Sequence, residues 1–164
     1  MLNVTLRPAV AAEGPLIRRL VLRNNLNPFD LDWRSFTVAA DETDQLVGFG
    51  QIKLHGDVEE LASVVVVEQW QGRGVAKLLM EALLSRGKRP LWLMCESPLT
   101  RFYVQFGFRE VSDPTKLPNY FRGMYWVTRL PLGMLFLMRG THVASWCWII
   151  DASAQRARGA THTT

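Results

Sequence analysis

The first third of the chain changes its spacing of apolar residues twice. Residues 3–7 alternate apolar and polar side chains, which predicts a short strand that Pro8 ends. Pro15 stands where the first turn of a helix tolerates proline, and the apolar stripe at residues 16–22 predicts that helix. Residues 24–33 carry Asn and Pro with neither spacing, so we expect a loop there.

The next segments predict the middle of a sheet and a helix that packs on it. Residues 36–54 fit two strands joined by a polar turn at 41–45. The run at 60–67 is rich in β-branched residues and does not alternate, which is typical of a central strand covered on both faces. Apolar residues from Val75 to Leu83 then recur at helical spacing.

The second half of the chain predicts further strands and one more helix. The predicted strands are residues 91–95, 107–111 and 124–130. Residues 98–106 predict a short helix, with proline near its start and glycine just past its end. The order βα, ββ, βαβα, ββ indicates an α/β fold with a mixed sheet. We expect one domain at residues 1–150 and a disordered tail at 151–164.

Composition narrows the class of protein. With 48% hydrophobic residues among 164, the chain can bury one sizeable core. The net charge of +4 suits either a nucleic acid or a phosphate-bearing small ligand, but the absence of a dense Lys/Arg run leads us to expect no nucleic-acid partner. Two cysteines and three histidines stand at no metal-ligand spacing, which predicts no metal and a reducing, cytoplasmic location.

Two apolar segments near the C-terminus, residues 130–138 and 142–150, raise the question of a membrane. Each falls well short of the roughly 20 residues that a spanning helix needs. We therefore expect no membrane partner and assign both segments to the core or to an interface. A homodimer is compatible with their apolar character.

The turn at residues 71–76, which stands between an apolar strand and a helix, predicts an anion site. Backbone N–H groups at a helix start are unpaired and face outward, with the positive end of the helix dipole behind them. Two glycines let a ligand approach the backbone, and this suits a pyrophosphate. The sequence contains no Walker-type loop. A dinucleotide fingerprint would begin at Gly72, but Lys77 stands at the position of its third glycine. Glu96 stands roughly where such a fingerprint expects a ribose-binding acid.

A second pattern decides between these ligands. Residues 71–76 have the form Gln-x-x-Gly-x-Ala, and the sequence FYVQFGF follows at residues 102–108. Together, in this order and at this spacing, they resemble the GNAT acetyltransferase superfamily from about Asn3 to Leu130. The resemblance implies a central, mostly antiparallel sheet with helices on its faces, in which strands 4 and 5 are parallel and splay apart to admit acetyl-CoA.

The resemblance also implies roles for individual residues. Val66 would present its amide to the thioester oxygen, because donors aimed at a developing oxyanion are often the largest catalytic contribution. Tyr103 would contact the cofactor and donate a proton to the departing thiolate. The implied cofactor-binding set comprises Val64, Val65, Val66, Gln71, Gly72, Arg73, Gly74, Val75, Ala76 and Tyr103.

The acceptor is expected to be an amine, which must lose a proton before it attacks. Glu60 stands where some members of the family carry a general base, with His55 as a weaker candidate and ordered water as the alternative. Asp30, Asp32 and Trp33 lie in the loop where the family binds its acceptor, and acidic plus aromatic groups suit a cation. Residues 117–125 could form the opposite wall.

The predicted function is therefore transfer of an acetyl group from acetyl-CoA to a primary amine of a small molecule or protein, by direct attack and without a metal. The alternative is a non-catalytic coenzyme A sensor or interaction module.

Overall fold

The computed structural model describes residues 3–95, 97–127 and 146–150. The strands are β1 (Thr5–Pro8), β2 (Phe36–Ala40), β3 (Leu46–His55), β4 (Val58–Val66), β5 (Leu91–Cys95), β6 (Arg109–Glu110) and β7 (Trp146–Ile150). The helices are α1 (Gly14–Arg23), α2 (Val75–Arg86), α3 (Thr100–Val104) and α4 (Asn119–Val127). Short 3₁₀ turns, among them Trp33–Ser35 and Glu68–Trp70, join several of these elements.

The chain divides into two compact units, and β3 and β4 each contribute residues to both. The first unit contains the described residues up to Lys53 together with Leu61–Gly87. The second contains Leu54–Glu60 and the described residues from Lys88 onward.

In the first unit, helices cover both faces of the antiparallel strands β1, β2 and β3. All five residues of β2 are buried. Val38 packs in one apolar cluster with Ile17 of α1, whereas the next residue, Ala39, packs in another with Leu79 of α2. Because successive side chains of a strand point to opposite faces, this explains why β2 carries no exposed position.

Two glycines on β3 let α2 pack closely against the sheet. A Cβ atom at Gly50 would lie 2.7 Å from Cδ1 of Leu83, and one at Gly48 would lie 3.0 Å from the carbonyl oxygen of Val65. The first distance is shorter than real Cβ contacts allow, so a side chain at Gly50 would force Cδ1 of Leu83 to move within a packed core.

The second unit pairs its strands in the order β4, β5, β7, β6. Strands β4 and β5 are parallel, with Glu59 opposite Leu91 and Glu60 opposite Trp92. Strand β7 pairs antiparallel with β5 along five residues and with β6 along two. Trp92 stacks on Phe121 of α4, with 5.5 Å between the ring centroids, and both belong to one apolar cluster.

The predicted fold class is confirmed: the sheet is mixed, strands 4 and 5 are parallel, and helices flank it. One element prediction was wrong, because residues 124–127 complete α4 rather than form a strand. Tyr120, Phe121, Met124 and Tyr125 are the buried or half-buried residues of that segment, and their spacing is helical.

The strand that pairs with β5 is β7, which lies within residues 142–150, one of the two apolar segments assigned to the core or an interface. The other apolar segment, residues 130–138, and the predicted tail lie outside the described residues. Among the described residues, no helix is both long enough and apolar enough to cross a membrane.

Candidate active site

The structure brings Gln71 to Ala76 into one exposed turn at the start of α2. Gly72 and Gly74 both adopt left-handed backbone conformations, with φ of 72° and 92°. Gly74 is the N-cap of the 12-residue helix and has no side chain to cap it. The amides of the first helical turn have no carbonyl of a preceding turn to bind, so they are free to meet an anion. Val75 buries its side chain in the core, which leaves its amide as the group that can face a ligand.

The turn is tied to the end of β4. Nε2 of Gln71 donates a hydrogen bond to the carbonyl oxygen of Val66 at 3.0 Å. The guanidinium of Arg73 lies over the ring of Trp70, 5.3 Å from its centroid. Along β4, Val65 is buried, whereas Val64 and Val66 are half-buried. Gln71 therefore holds the predicted pyrophosphate turn against the strand expected to carry the thioester.

Ser63 interrupts the extended backbone of β4 with a φ of 55°. A single left-handed residue within a strand is typical of a β-bulge, and it is uncommon for residues other than glycine. Its Oγ accepts a hydrogen bond at 3.1 Å from Nε2 of Gln51, which is fully buried on β3. Neither residue was predicted from the sequence, although a serine within the run of valines was a signal of irregularity.

Glu60, the predicted base, is almost fully buried and paired with His55. Nε2 of His55 lies 2.7 Å from Oε2 of Glu60, and the two side chains are only 9% and 8% exposed. The imidazole also stacks on Tyr120, with 3.5 Å between centroids and 11° between planes. The neighbouring Glu59 instead accepts a hydrogen bond at 2.7 Å from the amide of Lys88. The two base candidates thus form one hydrogen-bonded pair, and an aromatic ring holds the imidazole.

Tyr103, the predicted proton donor, is buried in the second unit. Its ring makes edge contacts with Phe102 and Phe108, at centroid distances of 5.2 and 6.1 Å. Burial raises the pKa of its phenol, and repulsion between the phenolate and the thiolate form of nearby Cys95 raises it further. Tyr103 is therefore protonated at neutral pH, as a proton donor must be. Tyr103, Glu60 and His55 belong to the second unit, and residues 64–66 and 71–76 to the first.

Two residues of the predicted acceptor loop, Asp32 and Trp33, both contact Arg34. Asp32 caps the 3₁₀ turn by accepting a hydrogen bond from the amide of Arg34 at 3.1 Å. The guanidinium of Arg34 also lies 3.3 Å from Oδ1 of Asp32 and 4.6 Å from the ring centroid of Trp33. Asp30 is exposed and left-handed, with a φ of 55°. These contacts are solvent-exposed, so an incoming cation can compete with Arg34 for them.

Two other expectations from the sequence concern Glu96 as a ribose-binding acid and the absence of a metal site. Glu96 lies outside the described residues. Within the part of the chain that the structure describes, no three His, Cys, Asp or Glu side chains are grouped so that they could hold a metal ion.

Comparison with known proteins finds a matching family domain and several similar folds. Residues 32–110 match the family model described as an acetyltransferase (GNAT) domain. No curated protein matches the sequence. Among solved structures, N-acetylglutamate synthase from Neisseria gonorrhoeae, complexed with coenzyme A and L-arginine, has a TM-score of 0.69 and 17% identity over 92% of this chain. The chain spans only 34% of that synthase.

Two smaller proteins are similar over nearly their whole length. NAA60 from Arabidopsis thaliana, in complex with acetyl-CoA, has a TM-score of 0.62 and 15% identity, covering 92% of this chain and 99% of its own. A GNAT-family acetyltransferase from Staphylococcus aureus has a TM-score of 0.62 and 14% identity, covering 90% of this chain and 98% of its own. Residues 32–110, just under half of the chain, thus match the GNAT acetyltransferase domain, and the chain shares the fold of these solved acetyltransferases.

Proposed function

We propose that this protein is an N-acetyltransferase that moves the acetyl group of acetyl-CoA to a primary amine by direct attack. The observation that carries the proposal is the turn from Gln71 to Ala76, which places left-handed glycines at a helix start that no side chain caps. The structural relatives complexed with coenzyme A or acetyl-CoA support this cosubstrate.

The acetyl group is positioned by backbone donors. Amides from Gln71 to Ala76 hold the pyrophosphate, and the strand from Val64 to Val66 pairs with the pantetheine arm. The amide of Val66 binds the thioester oxygen, which gains negative charge as the amine attacks. A donor already in place stabilises that charge without reorganisation in the transition state.

Two side chains move protons in the proposed reaction. An amine with a pKa of about 10.4 is neutral in fewer than about one molecule in a thousand at pH 7, so a base must remove its proton. Glu60, hydrogen-bonded to His55, is that base. The nitrogen then forms a bond to the acetyl carbon while the carbon–sulfur bond breaks. Tyr103 donates its proton to the departing sulfur, and the second proton lost from the acylated nitrogen restores the phenol. The products are an acetamide, free coenzyme A and the first proton, which Glu60 holds.

The acceptor in this proposal is a small-molecule or protein amine, bound by the loop that contains Asp30, Asp32 and Trp33. A cationic acceptor takes the place that the guanidinium of Arg34 now occupies beside Asp32 and Trp33. No metal takes part in the proposed reaction.

A second candidate is a coenzyme A sensor or interaction module without catalysis. The contacts of Arg34 favour it, because they fill the carboxylate and the ring face that a cationic acceptor would need. Both candidates require the turn at residues 71–76 to bind coenzyme A, and they differ only in whether an amine reacts.

Two measurements test the proposal. In the first, thermal unfolding is followed with acetyl-CoA and, as a control, with NAD; only acetyl-CoA should raise the midpoint, because a ligand that binds the native state stabilises it. In the second, thiol release from acetyl-CoA is measured with a panel of amines. Stabilisation without thiol release from any amine would favour the sensor. Stabilisation by NAD alone would overturn both candidates.

A further inference from the structure

We infer that Gln51 is a positioning residue, which holds the left-handed bulge of β4 and joins it to the turn that carries Trp33. The inference rests on the proposed function, because it concerns how the thioester strand and the acceptor loop are aligned. Gln51 contacts neither the cofactor nor the acceptor in this scheme.

Gln51 uses both ends of its amide within the first unit. Nε2 contacts Oγ of Ser63 at 3.1 Å, and Oε1 contacts Oγ of Ser35 at 2.8 Å. Rotating the amide by 180° preserves both contacts, because each serine hydroxyl can donate or accept. A fully buried amide that lost these partners would have no water to replace them, so both contacts are costly to break.

The contact with Ser63 determines the geometry of the strand that follows. Ser63 has a φ of 55°, which a serine adopts only where surrounding contacts hold it. Its hydroxyl is fixed by Gln51, and the next residues are Val64 to Val66. Rotation of the backbone at Ser63 would turn the peptide groups after it, including the amide proposed to bind the thioester oxygen. Gln51 therefore fixes the direction of that amide.

The contact with Ser35 determines the position of the acceptor loop. Ser35 ends the 3₁₀ turn Trp33–Ser35, and its Oγ also lies 2.7 Å from the carbonyl oxygen of Asp32. The hydroxyl has one proton, so when it donates to that carbonyl it accepts from Nε2 of Gln51 in the rotated amide. One buried amide thus holds both the turn that contains two predicted acceptor residues and the bulge before the thioester strand. Without it, each could shift independently of the other.

The pyrophosphate turn does not depend on Gln51. It is held by α2 and by the hydrogen bond from Gln71 to Val66. Because the pantetheine arm also pairs with the strand after Ser63, loss of Gln51 should weaken acetyl-CoA binding somewhat, but it should reduce the rate of acetyl transfer by a larger factor. A purely structural role would not separate these two quantities.

The test compares Gln51→Met and Ser63→Gly with a control, Thr37→Val. Thr37 is also a buried residue of the first unit, and its Oγ1 accepts a hydrogen bond from Arg86 at 2.9 Å, so the control removes a comparable contact elsewhere. Glycine at position 63 tolerates the left-handed conformation but loses the hydroxyl. For each variant, kcat, the KM of the amine and the Kd of acetyl-CoA are measured, and the folded fraction is checked by circular dichroism.

We expect kcat to fall at least about tenfold in Gln51→Met and Ser63→Gly, because complete loss of an oxyanion donor costs about 100- to 1,000-fold. The double variant should be no slower than the slower single variant, since both remove the same contact. The Kd of acetyl-CoA should rise by a smaller factor than kcat falls, and Thr37→Val should keep the kcat of the parent protein. Ser35→Ala should raise the amine KM more than it lowers kcat.

A kcat of Gln51→Met equal to that of Thr37→Val, in folded protein, would overturn the inference and leave the proposed function intact. Absence of thiol release by the parent protein with every amine would instead overturn the proposed function, and the role of Gln51 with it.

Discussion

Replacement of Gly74 by alanine tests whether the turn at the start of α2 holds a pyrophosphate. A Cβ atom at Gly74 would meet no protein atom within 4 Å, so crowding adds nothing to the cost. The cost comes from the backbone, because φ is 92° and a left-handed conformation costs a residue with a side chain roughly 1–2 kcal/mol. For a chain of 164 residues, we expect the midpoint of thermal unfolding to fall by about 2–8 °C.

The effect on ligand binding should be larger than the effect on stability. If alanine moves the turn out of its left-handed conformation, at least one amide no longer faces the pyrophosphate. A hydrogen bond to a charged group contributes about 1.5–3 kcal/mol, which corresponds to an affinity for coenzyme A that is roughly 10- to 150-fold weaker. Calorimetric titration with coenzyme A measures this loss. Titration with pantetheine, which lacks the pyrophosphate, should show no difference between Gly74→Ala and the parent protein.

Gly56 supplies a matched control. It lies in the turn between β3 and β4 with a φ of 66°, and a Cβ atom added there would also meet no protein atom within 4 Å. Gly56→Ala should therefore lower the unfolding midpoint by a similar amount and leave the affinity for coenzyme A unchanged. Equal weakening of coenzyme A binding by Gly56→Ala and Gly74→Ala, or none by Gly74→Ala, would refute the assignment of the turn.

Three further predictions concern the proposed base, the proposed acid and the packing of α2. Glu60→Gln should lower the rate of thiol release by about 100-fold or more, whereas Glu59→Gln should change it by less than about twofold; similar losses in both would count against a base at Glu60. The raised pKa of Tyr103 means that the folded protein keeps a proton that the unfolded chain loses above the ordinary tyrosine pKa of about 10. Its contribution to stability is thus complete below pH 10 and declines above it, by up to about 1.4 kcal/mol per pH unit, and Tyr103→Phe should remove this part of the decline in alkaline denaturant titrations. Gly50→Ala should reduce the free energy of unfolding by about 1–3 kcal/mol, because the added Cβ would lie 2.7 Å from Cδ1 of Leu83. The loss should be smaller in a Leu83→Val background, and equal losses in both backgrounds would contradict this contact.

Local sequence patterns predicted most of the fold and the position of the glycine turn. The β-branched run without alternation at residues 60–67 identified a central strand, and helical spacing identified α2. Both signals are strong because the residues that produce them are neighbours in sequence. The strand prediction was wrong for residues 124–127, since aromatic residues favour strands while their spacing here also fits a helix.

The features that sequence reasoning missed depend on partners from other elements. The left-handed conformation of Ser63 depends on a buried amide twelve residues earlier on β3. The pairing of His55 with Glu60 depends on the turn between β3 and β4, which returns the chain so that the two side chains meet. Neither contact has a periodic signature, so a single sequence does not reveal it.

The five residue pairs between β5 and β7 bear on where the chain can be shortened. Because β7 begins only at Trp146, removal of the last twenty residues would leave one side of β5 without its hydrogen-bonding strand. Leu91, Trp92 and Leu93 would then lie on a bare apolar edge, which is the kind of surface that pairs with other copies and precipitates. Self-association of such a shortened protein would reflect a damaged sheet rather than a native interface, so its oligomeric state must be measured on the intact chain.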